Sequence, residues 1–347
     1  MTDDTPSDEE ETGGSWMPTQ RLCLVLCHLY LVPWFARRLF SCELPLRPFL
    51  DANPNLDLGG LPIASKLSRY GTDPPYLPCL VVDENTDGAA LDAFADTHAF
   101  PLVLKPVFGA HSRGVQKLHG PGDLASVAVD EPMILQPFVD APKEYGINVI
   151  RVGGRVKIYG LTEVTLRAVW GDGCRSLNEL VAQKYGTDAA PVDEGGRVPD
   201  DGEHVPLQDA VDPGGGSSFR DVTDAGTPAL RKACQEAADQ IGLRFGRFDV
   251  KAESLAALQA GEFWILEVNG SPSLDLTLYD DQHPLSVKIE RLRAHWEQLF
   301  QQARPCQSDD RNSWYLLSTL LWFACAPEQY AASLRNEVDE GELASGA

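Results

Sequence analysis

Glu267-Val268-Asn269 closes an apolar run, Phe263-Trp264-Ile265-Leu266. On a strand, positions i and i+2 share a face, so the Glu267 carboxylate and the Asn269 amide project together from the strand end. Asp249 ends a second short run, Arg247-Phe248-Asp249. If these two strands pair, three oxygen ligands converge in a site suited to Mg2+, a hard cation that keeps waters and also takes phosphate oxygens. An ordinary strand end with surface acids is the competing reading.

Lys105 sits inside Pro-Leu-Val-Leu-Lys-Pro-Val. A buried ammonium is costly without a partner, and a bound phosphate would supply one. The following turn, Gly109-Ala110-His111-Ser112-Arg113-Gly114, offers backbone N–H groups for covering phosphates. Ile134-Leu135-Gln136-Pro137-Phe138-Val139 is extended and contains proline, so it can leave backbone groups open to an adenine edge, and Glu144 beyond it can hold ribose hydroxyls. Taken alone, this segment reads better as a plain strand and loop.

The elements that must position these groups follow from pattern. Residues 20–45 predict a helix broken by Pro45 and Pro48, and residues 51–66 a loop. Short strands are expected at 77–82, 101–107, 115–118, 133–139, 146–152, 155–164, 247–251 and 262–268, with Gly153-Gly154 as a hairpin turn. Helices are expected at 89–98, 228–242 and 283–304. Segment 187–226 holds seven Gly, four Pro and ten acids against two Arg, and predicts a long acidic loop or lid without a packed core. The mixed order gives an α+β (α/β) architecture. Its parts are an acidic tail at 1–19, an apolar helix and loop at 20–61, the main domain at 62–305, an apolar helix at 306–335 and a second acidic tail at 336–347.

The 347 residues carry a net charge of −22. The tails hold ten of those charges and 187–226 another eight, which leaves −4 for the rest. Such acidity repels phosphate backbones and excludes nucleic acid as the expected partner, without excluding a local pocket for a nucleotide. Eight scattered cysteines show no zinc spacing, and the acidic start is unlike a secretory signal; reduced thiols in a cytoplasmic protein are expected. Residues 22–36 and 313–327 lack charge but are shorter than the ~17–25 residues that span a bilayer. Buried helices are expected there, with peripheral membrane contact as the alternative.

In type and in order along the chain, these residues resemble the ATP-grasp superfamily over roughly 62–300. Gly246-Arg247-Phe248-Asp249-Val250 and Glu267-Val268-Asn269-Gly270-Ser271-Pro272-Ser273 look like segments of D-alanine–D-alanine ligases. Leu166-Arg167-Ala168-Val169-Trp170-Gly171-Asp172-Gly173 looks like cyanophycin synthetase and related ligases. The early Ala52–Lys66 element is similar to a group of D-Ala–D-Ala-ligase-like bacterial proteins. The resemblance implies two α+β subdomains gripping ATP. It implies that Lys66 and Lys105 contact phosphates, that Gly109, Ser112 and Gly114 close over them, and that Gln136 and Phe138 (the latter through its backbone) face adenine. It gives ribose to Glu144 and two Mg2+, with Mn2+ as a substitute, to Asp249, Glu267 and Asn269. Arg247 and the Ser273 N–H would steady an oxyanion, and Arg167 would contact phosphate or an acyl-phosphate.

The implied activity is an ATP-dependent carboxylate–amine ligase acting through an acyl-phosphate on small-molecule acids and amines, with a homodimer as one assembly. The alternatives are a small-molecule kinase of the same fold and a nucleotide-binding interaction protein without turnover. Arg113, Arg151, Arg175 and Arg220 are candidates for a substrate carboxylate. Three departures stand out: the N-terminal part is a reduced helical segment rather than a full domain, Ser273 stands where glycine is usual, and the 187–226 loop is long and acidic.

Overall fold

In the computed structural model, the described residues are 17–40, 47–61, 64–109, 114–127, 129–186, 195–207 and 217–303. The chain begins with helices α1 (Met17–Phe40) and α2 (Arg47–Asp51) and continues through β1 (Leu80–Val82), α3 (Gly88–His98), β2 (Leu102–Pro106), β3 (Gln116–Leu118), α4 (Pro121–Ala125) and β4 (Met133–Pro137). The long strands β5 (Lys143–Val152) and β6 (Arg155–Thr165) follow, then β7 (Ala168–Trp170), α5 (Leu177–Tyr185), β8 (His204–Pro206) and β9 (Ser218–Asp221). The last elements are α6 (Pro228–Ile241), β10 (Phe245–Ala252), α7 (Leu255–Ala260), β11 (Trp264–Asn269) and α8 (Leu285–Gln302). The fold is α+β, and the ladders β1–β4, β4–β2, β2–β3, β11–β10, β10–β5, β5–β6 and β7–β8 are antiparallel. Contacts divide the chain into two compact units, Met1–Leu26 with Thr165–Ser218 and Cys27–Val164 with Phe219–Ala347.

The larger unit holds two sheets, ordered β1-β4-β2-β3 and β11-β10-β5-β6-β9. In the first, alternation along β2 buries Leu102 and Leu104 with Met133, Leu135 and Leu118 against Ala95 of α3 and Leu124 of α4. In the second, Ile147, Val149, Leu161, Phe248 and Val250 pack on Leu230, Cys234, Ala237 and Ala238 of α6. Burying each large apolar side chain here stabilises by about 1.5–3 kcal/mol, so this layer fixes the sheet and leaves its other face for polar groups. α6 is bounded as its sequence dictates: Thr227 caps Leu230 N–H, Pro228 takes the first helical position, and Gly242 ends it at φ 66°.

The segment at 47–61 is anchored rather than loose. The first helix ends at Phe40, before the two prolines expected to stop it, and Pro48 lies within the first turn of α2, where its missing N–H would have no helical acceptor. Asn53, fully buried, donates to Phe245 O (2.7 Å) and Gly59 O (3.2 Å), and its Oδ1 accepts from Arg244 N and Phe245 N, both 2.9 Å. It thereby pins the start of β10. Gly60 (φ 80°) lies so close to the turn after β11 that a Cβ would come within 2.7 Å of Gly270 Cα, which accounts for the Gly-Gly pair.

Segment 187–226 differs from the long loop or lid without a packed core that its composition predicts. Its described parts supply β8, β9 and a 3-10 turn at Thr223–Ala225. Val205 of β8 is buried with Val169, Leu177, Leu180 and Val181 in a small core of the first unit, and Phe219 is buried in the second. In that core, α5 begins with a Ser176/Glu179 capping box. Residues 187–194 and 208–216 lie outside the described residues, as do residues 1–16, the second tail and the apolar run 313–327, whereas residues 17–19, expected in the first tail, open α1. Among the described residues no helix is long and apolar enough to cross a membrane. Cys23, Cys79, Cys174 and Cys234 are free thiols.

Candidate active site

β10 and β11 pair in a register that sets Asp249 opposite Glu267 and Arg247 opposite Asn269. The four side chains therefore share one face, opposite the face packed on α6. β5 lies on the other side of β10, with Gly146 beside Asp249 and Asn148 beside Arg247. Arg247 clamps Asp249 through Nε to Oδ1 (2.5 Å) and Nη2 to Oδ2 (2.9 Å), and donates through Nη1 to Leu274 O (2.9 Å). Asn269 Nδ2 donates to Asp249 Oδ2 at 2.7 Å. Burial works against the Arg247 charge, but Asp249 and Glu267 outweigh it and raise its pKa. The Glu267 carboxylate, by contrast, is given no hydrogen bond by the described residues.

Lys105 reaches this place from β2. Its Nζ donates to Leu266 O at 2.9 Å, next to Glu267. Burial lowers its pKa to about 8, with Glu267 opposing the shift and Lys66 adding to it. Lys66 is tied to the far end of β2, its N–H on Val107 O (3.1 Å) and its Nζ on Pro106 O (3.1 Å). Its pKa is also lowered, first by burial, against the pull of Glu267. Two ammonium groups and one carboxylate thus sense one another, and each lysine spends only one donor on a backbone carbonyl.

Glu144 stands beside Lys251 of β10 and Val164 of β6. Burial, then the nearby Asp249, raises its pKa to about 7. Gln136 is 2% exposed and its Nε2 meets no protein acceptor. Phe138 carries Lys117 Nζ 3.5 Å from its ring centroid and Lys251 Nζ at 5.2 Å. Gly109 (φ 110°) and Gly114 (φ 76°) flank the turn, whose central residues, Ser112 included, lie outside the described set.

Several expected roles meet a different geometry. Of the Phe138 backbone groups, expected to face adenine, the N–H donates to Pro101 O at 3.0 Å, because it closes the ladder between the ends of β2 and β4. The Ser273 N–H, expected to face an oxyanion, donates to Gly270 O at 3.1 Å, and its hydroxyl donates to the same carbonyl at 2.7 Å. Both backbone donors are therefore engaged. Arg167 belongs to the other unit, where its guanidinium lies 4.5 Å from the Tyr185 ring centroid. Of the four arginines considered for a substrate carboxylate, Arg151 pairs with Asp239, Arg175 with Asp172 and Arg220 with Glu163, and Arg113 lies outside the described residues.

Two residues near the lysines carry no sequence signal beyond their type. Arg69 is 4% exposed; its Nη2 donates to Leu61 O (2.5 Å) and its Nε meets no acceptor. The Tyr70 hydroxyl is likewise buried without a partner. Burial, then Glu267, raises the Tyr70 pKa well above the ordinary tyrosine value.

Two carboxylates on paired strands with an amide beside them are a hard-oxygen donor set of the kind Mg2+ takes. Asp249, Glu267 and Asn269 would hold it, and waters or phosphate oxygens would complete its shell. Among the described residues no group of three His, Cys, Asp or Glu side chains forms a cluster able to hold a metal ion. Any cation here would therefore depend on that completion.

No family model matches the chain. No curated protein matches it. Among solved structures it is similar to a D-alanine–D-alanine ligase from Bacillus anthracis, with 13% identity, a TM-score of 0.39, and coverage of 75% of this chain and 68% of that one. It is similar to a bifunctional glutathione synthetase from Pasteurella multocida, with 16% identity, a TM-score of 0.36, and coverage of 66% of this chain and 34% of that one. A third is the ATP-grasp ligase PsnB in complex with a precursor variant, Mg and ADP, at 15% identity and a TM-score of 0.36, covering 64% of this chain and 54% of that one. The chain thus spans about a third of the synthetase and about half of PsnB. Likeness at this level assigns neither a family nor an activity.

Proposed function

We propose that this chain is an ATP-grasp enzyme that uses Mg·ATP to join a carboxylate to an amine through an acyl-phosphate. The observation that carries the reading is the convergence of Lys66 and Lys105 on Glu267, with Asp249 and Asn269 beside it. Buried lysines with surplus donors call for an anion, and adjacent carboxylates call for a cation. A metal-bound polyphosphate is a ligand that satisfies both at once.

In this reading Lys66 and Lys105 bind the phosphates, and the Gly109–Gly114 turn covers them. Gln136, with its open amide nitrogen, faces the base, and Glu144 faces the ribose. Mg2+, when bound, would neutralise charge on the phosphoryl group in transfer. Arg247 is the oxyanion donor in this reading, and its clamp on Asp249 orients that carboxylate, which with Glu267 and Asn269 would hold Mg2+. The engaged amides of Phe138 and Ser273 do not contribute.

The test is an ADP-release screen of amino-acid and small-acid pairs with Mg2+. The ligase reading requires ADP, phosphate and an amide product. A phosphorylated acceptor without amide would establish kinase chemistry instead, and tight nucleotide binding with no turnover in any pair would establish the non-catalytic role.

A further inference from the structure

A buried hydroxyl without a partner gives up its water hydrogen bonds and gains nothing in return, so it is uncommon in native interiors. Tyr70 carries one. It does not sit in an apolar core. Lys105 Nζ lies 5.3 Å from its ring centroid, and the charges that act on it are those of Glu267, Cys79 and Arg69. Arg69, the preceding residue, ends a 3-10 turn at Leu67–Arg69 and also holds a buried donor, Nε–H, with no acceptor. Lys66 stands immediately before that turn.

The backbone acceptors at this point are already accounted for, and the carboxylate that acts on Lys66, Tyr70 and Lys105 alike, Glu267, is the candidate metal ligand. Pro106 O takes Lys66, Leu266 O takes Lys105, and Leu61 O takes Arg69. What remains is a surplus of donors: two further N–H bonds on each ammonium, Arg69 Nε–H and the Tyr70 O–H. A ligand that fits such a surplus is rich in acceptors and has no donors of its own, as phosphoryl oxygens are.

We propose that Tyr70 is a further binding residue of the nucleotide site, its hydroxyl donating to a phosphoryl oxygen held by Lys66 and Lys105. This rests on the nucleotide reading above and extends it to a residue outside the lysine and glycine elements. Arg69 acts behind it as a positioning residue: its guanidinium ties the turn to Leu61 and Ala64 carbonyls and so sets where Tyr70 stands.

The test compares wild type with Tyr70→Phe, which keeps the ring under Lys105 and removes only the hydroxyl. Thermal unfolding is measured without ligand, and the Kd for Mg2+ with a non-hydrolysable ATP analogue is measured by calorimetry. The expected result is an unliganded Tm equal to or above wild type, because an unpartnered buried group is lost. Binding should weaken about 10- to 100-fold, the range for one hydrogen bond to a charged oxygen. Tyr70→Leu should show the same loss of affinity and provides the reading should Tyr70→Phe fold poorly. A Kd within twofold of wild type overturns the proposal, as does a lower Tm with unchanged Kd, which would show that the hydroxyl holds the fold. If wild type itself binds no Mg·nucleotide, the nucleotide reading fails first; binding that ignores Tyr70 sinks this residue's role alone.

Discussion

The two sides of the candidate site handle charge in opposite ways. On the β10–β11 face, Arg247 is locked to Asp249 by two hydrogen bonds and Asn269 joins them, so the charges compensate one another. On the β2 side, the Lys66 and Lys105 ammonium groups donate only to backbone carbonyls, and Gln136 and Tyr70 hold polar atoms without a hydrogen-bond partner. The first arrangement stabilises the protein as it stands and orients Asp249 for the cation proposed there. The second leaves desolvated donors uncompensated as the protein stands and would be relieved by the anion proposed for the site. Asp249 and Lys105, both candidate ligand contacts, should therefore respond to mutation in opposite senses when no ligand is present.

The largest expected effect is on turnover. Asp249→Asn combined with Glu267→Gln should lower Mg-dependent ATP consumption by about 10³-fold or more, the scale of losing charge stabilisation at a transferring phosphoryl. Steady-state ADP release checks this, and ATP consumption that survives in the double variant removes the metal assignment.

Next comes stability. Asp249→Asn alone should destabilise by about 3 kcal/mol, because it leaves Arg247 buried without its charge partner. Lys105→Met should cost little or even stabilise, because it removes a desolvated ammonium of similar length. Urea unfolding of the two variants side by side breaks the comparison if they lose stability equally.

The pH dependence sharpens it further. Lys105 titrates near 8 when folded against an ordinary 10.5. Between those values the unfolded chain binds more protons, so this residue makes stability rise with pH across that window. Lys105→Met should flatten the rise. Glu144 behaves inversely: its pKa is about 7 when folded against 4.5 ordinarily. The folded state binds more protons there, and stability falls as pH increases from 4.5 to 7, a slope that Glu144→Gln should abolish. The smallest effect concerns Cys79, an exposed thiol whose charge interacts with Lys105. Bound Mg·nucleotide should slow its alkylation about threefold as Lys105 turns to phosphate, as followed by peptide mass spectrometry.

Much of this site was legible in the sequence because it rests on period-2 alternation. Glu267 and Asn269, two apart after an apolar run, and Arg247 and Asp249, two apart in the next strand, had to share faces once β10 and β11 paired. The same i, i+2 relation brings Arg247 onto Asp249, a consequence visible in the spacing but overshadowed by the metal reading. Backbone donors were not legible in this way. Whether the Phe138 or Ser273 amide is open depends on which carbonyl lies opposite, Pro101 or Gly270, and no side-chain pattern encodes that.

Composition misled in 187–226. Its glycines, prolines and acids hide Val205 and Phe219, single apolar residues that are enough to seat short strands. Asn53, Arg69 and Tyr70 lie on irregular turns, where no periodicity distinguishes a buried polar anchor from a surface one. Asn53 could have been suspected only from the Asn-Pro…Gly-Gly spacing around it.

The central claim, that buried lysines and paired-strand carboxylates form one Mg·nucleotide site, is tested most directly by calorimetric titration of the wild-type protein with a non-hydrolysable ATP analogue, with Mg2+ and with chelator. The account predicts binding that requires Mg2+ and that falls at least about 100-fold in Lys105→Met. Binding that is equally tight without the metal, or that is unchanged by Lys105→Met, would contradict it.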